Sequence, residues 1–248
     1  MQEYVEEGIK KDYSPEQIVG IAKRDNIECV SHERIYQHLW GDKKKGGTLY
    51  LHLRTRGKKY RNRGASKDKR GIIPGRVSIE NRPEVVNQKK RFGDWEVDTI
   101  IGANHKGAIV TMNDRVTGLL RMRKVERKEA ELVKNAIIEV LQEWKGNSHT
   151  ITSDNGKEFA GHQAISQELG ISFFFAKPYH SWERGANENL NGLIRQYFPK
   201  KSSFENISNE RIKEVENILN NRPRKRHNFK SPLFLLTQIT NNKVAFVT

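Results

Sequence analysis

The chain has 248 residues, with 45 lysines and arginines against 30 aspartates and glutamates, and its formal net charge is +15. Its single cysteine, Cys29, excludes a disulfide framework and a cysteine-rich zinc site. No apolar run reaches membrane-spanning length and the first eleven residues are too polar for a signal peptide, so we expect a cytoplasmic protein without membrane contact.

Residues 1–42 predict a small helical module. Ser14 followed by Pro15 is typical of a helix start, and Ser31 is expected to cap a second helix over His32–Trp40. Two helices joined by a short turn indicate a helix-turn-helix, although an ordinary helical hairpin fits the same residues. The segment holds 5 basic and 9 acidic side chains, which argues against strong DNA binding by this module alone.

A basic linker is predicted over residues 43–90. Residues 43–92 hold 17 basic and 3 acidic side chains, and recurrent glycines favour a flexible chain. Such a concentration of positive charge indicates nucleic-acid contact, whereas a single basic residue would indicate only a solvated loop. The side chains expected to contact phosphates are Arg54, Arg56, Lys58, Lys59, Arg61 and Arg63.

From residue 91 to residue 248 the pattern becomes that of a folded α/β domain. Three apolar runs separated by turn residues predict antiparallel strands, and a helix, a strand, a helix, a strand and a further helix follow. This order is that of a ribonuclease H-like fold, with a mixed five-stranded sheet and flanking helices. The strands are expected at Trp95–Gly102, Gly107–Met112, Gly118–Val125, Thr150–Asp154 and Ile171–Ala176.

Two aspartates of this domain lie in strands. Asp98 is inside the first predicted strand, where an unpaired carboxylate would be costly to bury, and Asp154 ends the fourth strand just before Asn155 and Gly156. Taken singly, Asp98 could pair with an arginine and Asp154 could belong to an ordinary turn. Asp94, four residues before Asp98, is interpreted as a turn residue.

Helical periodicity selects a third carboxylate, Glu188. At about 100° per residue, the apolar residues of 182–197 fall on one arc of the helix. Glu188, Asn191 and Arg195 fall on the opposite face, whereas Glu183 falls on the apolar arc. We therefore expect Glu188, Asn191 and Arg195 to line one cleft.

The three carboxylates together predict a metal site. Hard divalent cations prefer carboxylate oxygens, and two such ions can hold the attacking and leaving oxygens of a phosphodiester. We expect Asp98, Asp154 and Glu188 to be the catalytic residues and the ligands of two Mg²⁺ or Mn²⁺ ions. The basic charge of the chain makes nucleic acid the expected substrate.

A second basic patch lies in residues 201–248, which hold 9 basic and 4 acidic side chains. A helix near Ser208–Asn220 precedes it. Four residues of this patch are expected to contact DNA: Arg222, Arg224, Lys225 and Arg226. Asn191 and Arg195, on the helix that carries Glu188, are also expected to contact DNA, although a structural role stays open for both.

These segments resemble the transposases of the insertion sequence 30 family, which belong to the wider group of retroviral-integrase-like enzymes with an Asp-Asp-Glu (DDE) triad. The similarity covers essentially the whole chain. It is carried by Gly93–Asp98, Ser153–Phe159, Pro178–Asn189, Asn191–Lys200 and Leu219–Lys225. Matched by position, the catalytic acids of that family fall on Asp98, Asp154 and Glu188.

The resemblance implies a DNA transposase. It would cut the ends of an insertion element and join the freed 3′-OH to target DNA by two-metal phosphoryl transfer. Its partners would be double-stranded DNA, at the terminal inverted repeats and at the target, and further copies of itself, since cutting two ends suggests a homodimer or larger oligomer. It would work in the bacterial cytoplasm, associated with the nucleoid.

The family usually carries more sequence before this point, including a further helix-turn-helix. We therefore expect an N-terminally shortened chain, and the alternative function is a truncated DNA-binding remnant that regulates or inhibits a full-length transposase. A tyrosine recombinase is disfavoured because Tyr197 lies on the apolar arc of its helix. A simple ribonuclease H would leave the basic segments unexplained.

Overall fold

The computed structural model describes residues 1–56, 73–177 and 185–245. In these ranges no helix has both the length and the apolar character needed to cross a lipid bilayer. The chain divides into two units. They are Met1–Ser66 with Asn221–Leu235, and Lys67–Asn220 with Leu236–Thr248.

The first unit contains helices α1 (Gln2–Lys10), α2 (Pro15–Arg24) and α3 (His32–Lys44). Helix α1 was not predicted, because a mostly polar sequence conceals the few apolar residues that it buries. The core of the unit is apolar and draws on all three helices and on the segment after α3. Its buried side chains are Val5, Ile9, Ile18, Ile35, Leu39 and Leu53.

Both predicted helix starts are confirmed. The Ser14 hydroxyl accepts a hydrogen bond from the backbone N–H of Gln17, and the Gln17 side chain accepts one from the backbone N–H of Ser14. The Ser31 hydroxyl caps α3 by accepting from the N–H of Arg34. Helix α3 continues beyond the predicted end, and Leu53 is buried in the core of the unit. The first part of the predicted linker therefore belongs to this unit.

The second unit is built on a mixed sheet in the order β3-β2-β1-β4-β5. Strand β1 runs antiparallel to β2 and parallel to β4, and β4 runs parallel to β5. This arrangement confirms the predicted ribonuclease H-like fold. The strands are β1 (Asp94–Ile101), β2 (Ala108–Asp114), β3 (Leu120–Val125), β4 (Thr150–Ser153) and β5 (Ser172–Phe175).

Helices cover both faces of this sheet. Alternate side chains of β1 point to opposite faces, so that Val97 packs in a core with α5, whereas Ile100 packs in a separate core with α7 and α8. Asp98 is two residues from Ile100 and therefore lies on the α7 face. The helices after the linker are α4 (Glu84–Asn87), α5 (Ala130–Gln142), α6 (His162–Leu169), α7 (Gly185–Tyr197), α8 (Asn209–Asn221) and α9 (Pro232–Ala245).

The end of the predicted linker packs on the sheet. Ile73 is buried in the core that contains α5, and the carbonyl of Val77 accepts a hydrogen bond from the backbone N–H of Phe175 in β5. Apolar side chains such as Ile73 are stabilised by this burial. Residues 57–72 of the linker lie outside the described ranges.

Asp94 corrects one interpretation made from the sequence. It is the first residue of β1 and only 1% exposed, and its carboxylate accepts hydrogen bonds from Arg91 and from the Thr150 hydroxyl. The turn conformation falls on Gly93, whose φ is +96°. The ion pair with Arg91 offsets the cost of burying the Asp94 carboxylate, so the role of Asp94 here is structural.

Gly93 is expected to be required for the start of β1. A Cβ atom at this residue would overlap the carbonyl oxygen of Asn147, and its positive φ also disfavours other residues. We expect Gly93→Ala to lower the free energy of unfolding by roughly 3 kcal/mol, as measured by urea denaturation.

Gly146→Ala is the matched control, since a Cβ atom there meets no heavy atom within 4 Å in the described part of the chain. Its unfolding midpoint should stay close to that of the wild type. Equal midpoints for the two variants would contradict the proposed role of Gly93.

Candidate active site

The pairing of β1 with β4 predicts that two of the expected catalytic acids are neighbours. The last pair in the parallel register is Glu96 with Thr152. Continuing the register by two residues sets Asp98 opposite Asp154, and neighbouring strands are about 4.8 Å apart. Each aspartate is two residues beyond its strand's member of the pair of Glu96 with Thr152, and side chains at this spacing share one face of a sheet.

Asp98 is half-buried in the middle of β1. One carboxylate oxygen, Oδ2, accepts a hydrogen bond of 2.8 Å from Nδ2 of Asn191 in α7. The other, Oδ1, accepts one of 2.8 Å from the backbone N–H of Thr99. The Asn191 contact ties α7 to β1 at the predicted catalytic residue.

Asp154 follows β4 directly and is half-buried. Its Oδ1 accepts a hydrogen bond of 2.9 Å from the backbone N–H of Gly156, and the next side chain, Asn155, donates to the carbonyl of Ala176. The turn foreseen for these residues is therefore present. It orients the carboxylate at the end of the strand, so the turn and the site are compatible.

Helix α7 has the face assignment expected from its sequence. Leu190, Leu193 and Ile194 are buried, and the half-buried Asn191 contacts Asp98. The backbone of Glu188 lies in α7, three residues before Asn191, and residues at this spacing share one helix face. The Glu188 side chain lies outside the described part of the chain, as do Trp182 and Glu183.

The metal site itself stays a prediction. Among the described side chains, no three histidines, cysteines, aspartates or glutamates gather closely enough to hold a metal ion. The predicted trio includes Glu188, whose side chain is not among them. The donor chemistry of Asp98 and Asp154 fits a divalent cation, because both present half-buried carboxylate oxygens held by neutral N–H donors.

Buried charged side chains contact the two strands on the sheet face that carries Asp98. Glu96, 2% exposed, forms an ion pair with the buried Arg115. Arg82 is 8% exposed, and its Nη1 donates a hydrogen bond of 3.0 Å to the Thr152 hydroxyl. These contacts fix the pair of residues that precedes Asp98 and Asp154 in the register.

Sequence reasoning missed two supporting residues. Arg82 lay in the predicted linker and carried no local signal of burial. Glu158 is 5% exposed, lies 2.7 Å from the ammonium of Lys128 and accepts a hydrogen bond from the Thr99 hydroxyl. Its place in the segment Ser153–Phe159 was the only available pointer, because its partners are distant in sequence.

The predicted DNA contacts of the linker are only partly described. Arg54 and Arg56 are exposed in the first unit. Four further candidates lie in the undescribed stretch 57–72, so their placement stays a prediction. They are Lys58, Lys59, Arg61 and Arg63.

Two of the predicted arginine contacts are engaged within the protein. Nη2 of Arg195 donates a hydrogen bond of 2.8 Å to the carbonyl of Ile101, and burial lowers the pKa of its guanidinium. Arg222 is 3% exposed, and its Nε donates to Oε1 of Gln17. These contacts give both arginines structural roles.

The remaining predicted contacts lie in the segment 221–235. Arg224 is half-buried, whereas Lys225 and Arg226 are exposed. All three belong to the first unit and not to the unit that carries Asp98 and Asp154. The basic patch that was predicted as an extension of the catalytic domain therefore packs with the N-terminal helices.

Comparison with known proteins gives the following similarities. No protein-family model matches the chain. It is 55% identical to the transposase of insertion sequence element IS4351 from Bacteroides fragilis, over 97% of this chain and 74% of that protein. Identity is 34% to the transposase of element IS1086 from Cupriavidus metallidurans, over 94% of this chain and 71% of the relative. Identity is 31% to the transposase InsI of element IS30C from Escherichia coli K12, over 94% of this chain and 63% of that protein.

Among solved structures, the catalytic core domain of BIV integrase is similar to 61% of this chain. The similarity covers 98% of that domain, with 20% sequence identity and a TM-score of 0.47.

The contact between Asn191 and Asp98 can be tested by placing a negative charge at residue 191. Asn191→Asp replaces the donor with a second carboxylate next to Asp98, and like charges at this distance repel. We expect a loss of about 2 kcal/mol of unfolding free energy in EDTA. Added Mg²⁺ should restore stability to a greater extent than in the wild type, as measured by thermal unfolding.

Asn189→Asp supplies the matched control, because it makes the same substitution at an exposed position of α7. It should change neither the stability in EDTA nor the response to Mg²⁺. An Asn191→Asp protein that behaves in the same way would show that the α7 contact does not hold Asp98.

Proposed function

Because this chain belongs to the transposases of insertion sequence elements, we propose that it cuts the ends of its element and joins them to target DNA at Asp98, Asp154 and Glu188. It is an enzyme of DNA transposition, which cleaves and joins nucleic acid. The alternative of a truncated, regulatory DNA-binding remnant is not favoured by relatives that are transposases.

One observation carries the assignment of the site. The parallel register of β1 with β4, extended by two residues beyond its last pair, would make Asp98 and Asp154 neighbours on one sheet face. Asn191 ties the helix that bears Glu188 to Asp98. Carboxylates from two adjacent strands and one helix can then converge.

Asp98, Asp154 and Glu188 would hold two Mg²⁺ or Mn²⁺ ions through their carboxylate oxygens. When bound, the ions would stabilise the attacking and leaving oxygens of a phosphodiester. Asn191 acts through Asp98, since its amide fixes the orientation of that carboxylate. The backbone N–H of Gly156 does the same for Asp154. Pre-oriented side chains need less reorganisation when the DNA backbone enters the site.

Two successive displacements at phosphorus account for the reaction. In the first, the oxygen of a water molecule bonds to phosphorus as the bond to the 3′ oxygen of the element end breaks, and that oxygen gains the proton that the water loses. In the second, the freed 3′-OH bonds to a target phosphorus as the bond from that phosphorus to the target's own 3′ oxygen breaks, and the proton passes in the same way to the leaving oxygen. Neither displacement needs a covalent bond between protein and DNA.

Double-stranded DNA is the proposed partner, at the terminal inverted repeats and at the target. Cutting two ends calls for at least a homodimer, and the nucleoid of the bacterial cytoplasm is the proposed place of action. Arg195 and Arg222 are left out of the proposed phosphate contacts because both are engaged within the protein. The contacts proposed are Arg54, Arg56, Lys58, Lys59, Arg61, Arg63, Arg224, Lys225 and Arg226.

Removing one carboxylate tests the mechanism. We expect Asp98→Asn and Asp154→Asn each to lower the rate of Mg²⁺-dependent strand cleavage and joining by at least roughly 10³-fold. The substrate is a labelled duplex that carries the terminal repeat of the element. Retention of that duplex should be unchanged, because the basic segments remain.

Glu139→Gln is the matched control, since its carboxylate is exposed on α5 and paired with Arg123 on the surface. This variant should cut and join at the wild-type rate. A wild-type rate of strand joining in the Asp154→Asn protein would contradict the proposed mechanism. Tight, salt-sensitive binding by the wild type without any Mg²⁺-dependent nicking would instead support the regulatory remnant.

A further inference from the structure

A segment near the C-terminal end of the sequence, residues 221–235, packs on α2 in the first unit. Nε2 of Gln17 donates a hydrogen bond of 2.6 Å to the carbonyl of Pro223. Nη1 of Arg24 donates one of 2.8 Å to the carbonyl of Phe229. The ring of Phe229 also lies so close to Gly20 that a Cβ atom there would overlap it.

The three contacting residues of α2 share one side of the helix. Gln17, Gly20 and Arg24 are spaced by three and four residues, which is the spacing of a single helix face. Gln17 also caps the start of α2 and accepts a hydrogen bond from the buried Arg222. The segment is therefore held along the length of α2.

The tip of the segment forms a tight turn. Arg224 and Lys230 pair in an antiparallel bridge, and Asn228 and Phe229 adopt positive φ angles of 50° and 58°. Lys225 is exposed at this turn and forms a surface ion pair of 2.5 Å with Glu16. Exposed ion pairs contribute little to stability, so Lys225 can exchange Glu16 for a phosphate at low cost.

The segment changes the charge of the unit that it joins. Residues 1–56 carry ten basic and nine acidic side chains, a balance that gives weak attraction to phosphates. Residues 221–235 add five basic side chains and no acidic one. The described part of the unit therefore reaches a formal charge of +6.

We infer that the helices α1–α3 and the segment 221–235 form one composite surface that binds the phosphate backbone of double-stranded DNA. Two regions that are far apart in the sequence supply it, and the segment contributes most of its net positive charge. The inference rests on the proposed function in that the partner is DNA. Part of the DNA binding would then belong to the first unit, and it would depend on the docking of the segment 221–235 on α2 and not on Asp98, Asp154 or Glu188.

Gly20→Ala in the full chain tests the docking contact without changing any charge. Alanine favours the helical state of α2, but its Cβ atom must displace the Phe229 ring, which weakens the packing of the segment on α2. The probe is a labelled 30-base-pair duplex of mixed sequence, titrated at several salt concentrations. We expect roughly tenfold weaker binding at about 0.1 M salt, and a salt slope shallower by about two.

Gly41→Ala is the matched control within α3, because a Cβ atom there meets nothing within 4 Å in the described ranges. Its binding curve should match that of the wild type. A double variant, Lys225→Gln with Arg226→Gln, removes the surface ion pair with Glu16 but keeps the contacts of Gln17, Gly20 and Arg24 with the segment. Its salt slope should also be shallower by about two.

The inference is overturned if Gly20→Ala, or the double variant, keeps the wild-type salt slope. The Asp154→Asn protein separates this result from the proposed function, since it should bind the mixed-sequence duplex with the wild-type slope and fail to cut the duplex that carries the terminal repeat. An unchanged slope in Gly20→Ala together with normal strand joining would remove the composite surface alone. A shallower slope in both variants, together with a wild type that never cuts the terminal-repeat duplex in Mg²⁺, would remove the enzyme assignment alone.

Discussion

The parallel pairing of β1 with β4 determines which carboxylates of this protein can meet. The pairing begins beside Gly93, whose positive φ and close approach to Asn147 leave no room for a larger residue. From there the register advances in steps of two along one sheet face, through Glu96 and Thr152. Asp98 is reached at the next step, just beyond the end of β4. A shift of one residue would carry Asp98 to the face that packs on α5.

Ion pairs hold most of the carboxylates that the second unit buries. Burying a charge is costly unless a partner offsets the loss of hydration. Of the five carboxylates buried in the described part of this unit, four have a cationic partner: Asp94 with Arg91, Glu96 with Arg115, Glu158 with Lys128 and Glu216 with Arg121. The fifth, Asp114, accepts hydrogen bonds from three backbone N–H groups and from the Thr117 hydroxyl, and burial raises its pKa. The candidate aspartates, Asp98 and Asp154, differ from these five in being only half-buried, and a metal ion needs carboxylate oxygens that it can reach.

Local patterns in the sequence predict the elements well and their distant contacts poorly. Apolar spacing assigned Leu190 and Leu193 to the buried face of α7, because the helix period fixes which residues share a face. Asp94 pairs with Arg91, only three residues before it, but the Thr150 hydroxyl that also contacts it is 56 residues away, so its turn-like surroundings were misleading. The docking of Phe229 on α2 was missed for the same reason. Its partner lies more than 200 residues earlier in the chain, and complementary shapes leave no periodic signal.

The distribution of charge supports the proposal that DNA retention and DNA chemistry belong to different parts of the chain. Residues 93–200 contain fourteen basic and fourteen acidic side chains, and carboxylates at the candidate site repel the phosphates on which they would act. Attraction over longer distances must therefore come from elsewhere. The linker and the first unit, once the segment 221–235 is docked on it, carry that excess of positive charge. Divalent cations would offset the remaining repulsion at the site, so the polymer can be held without placing lysines or arginines among the catalytic carboxylates.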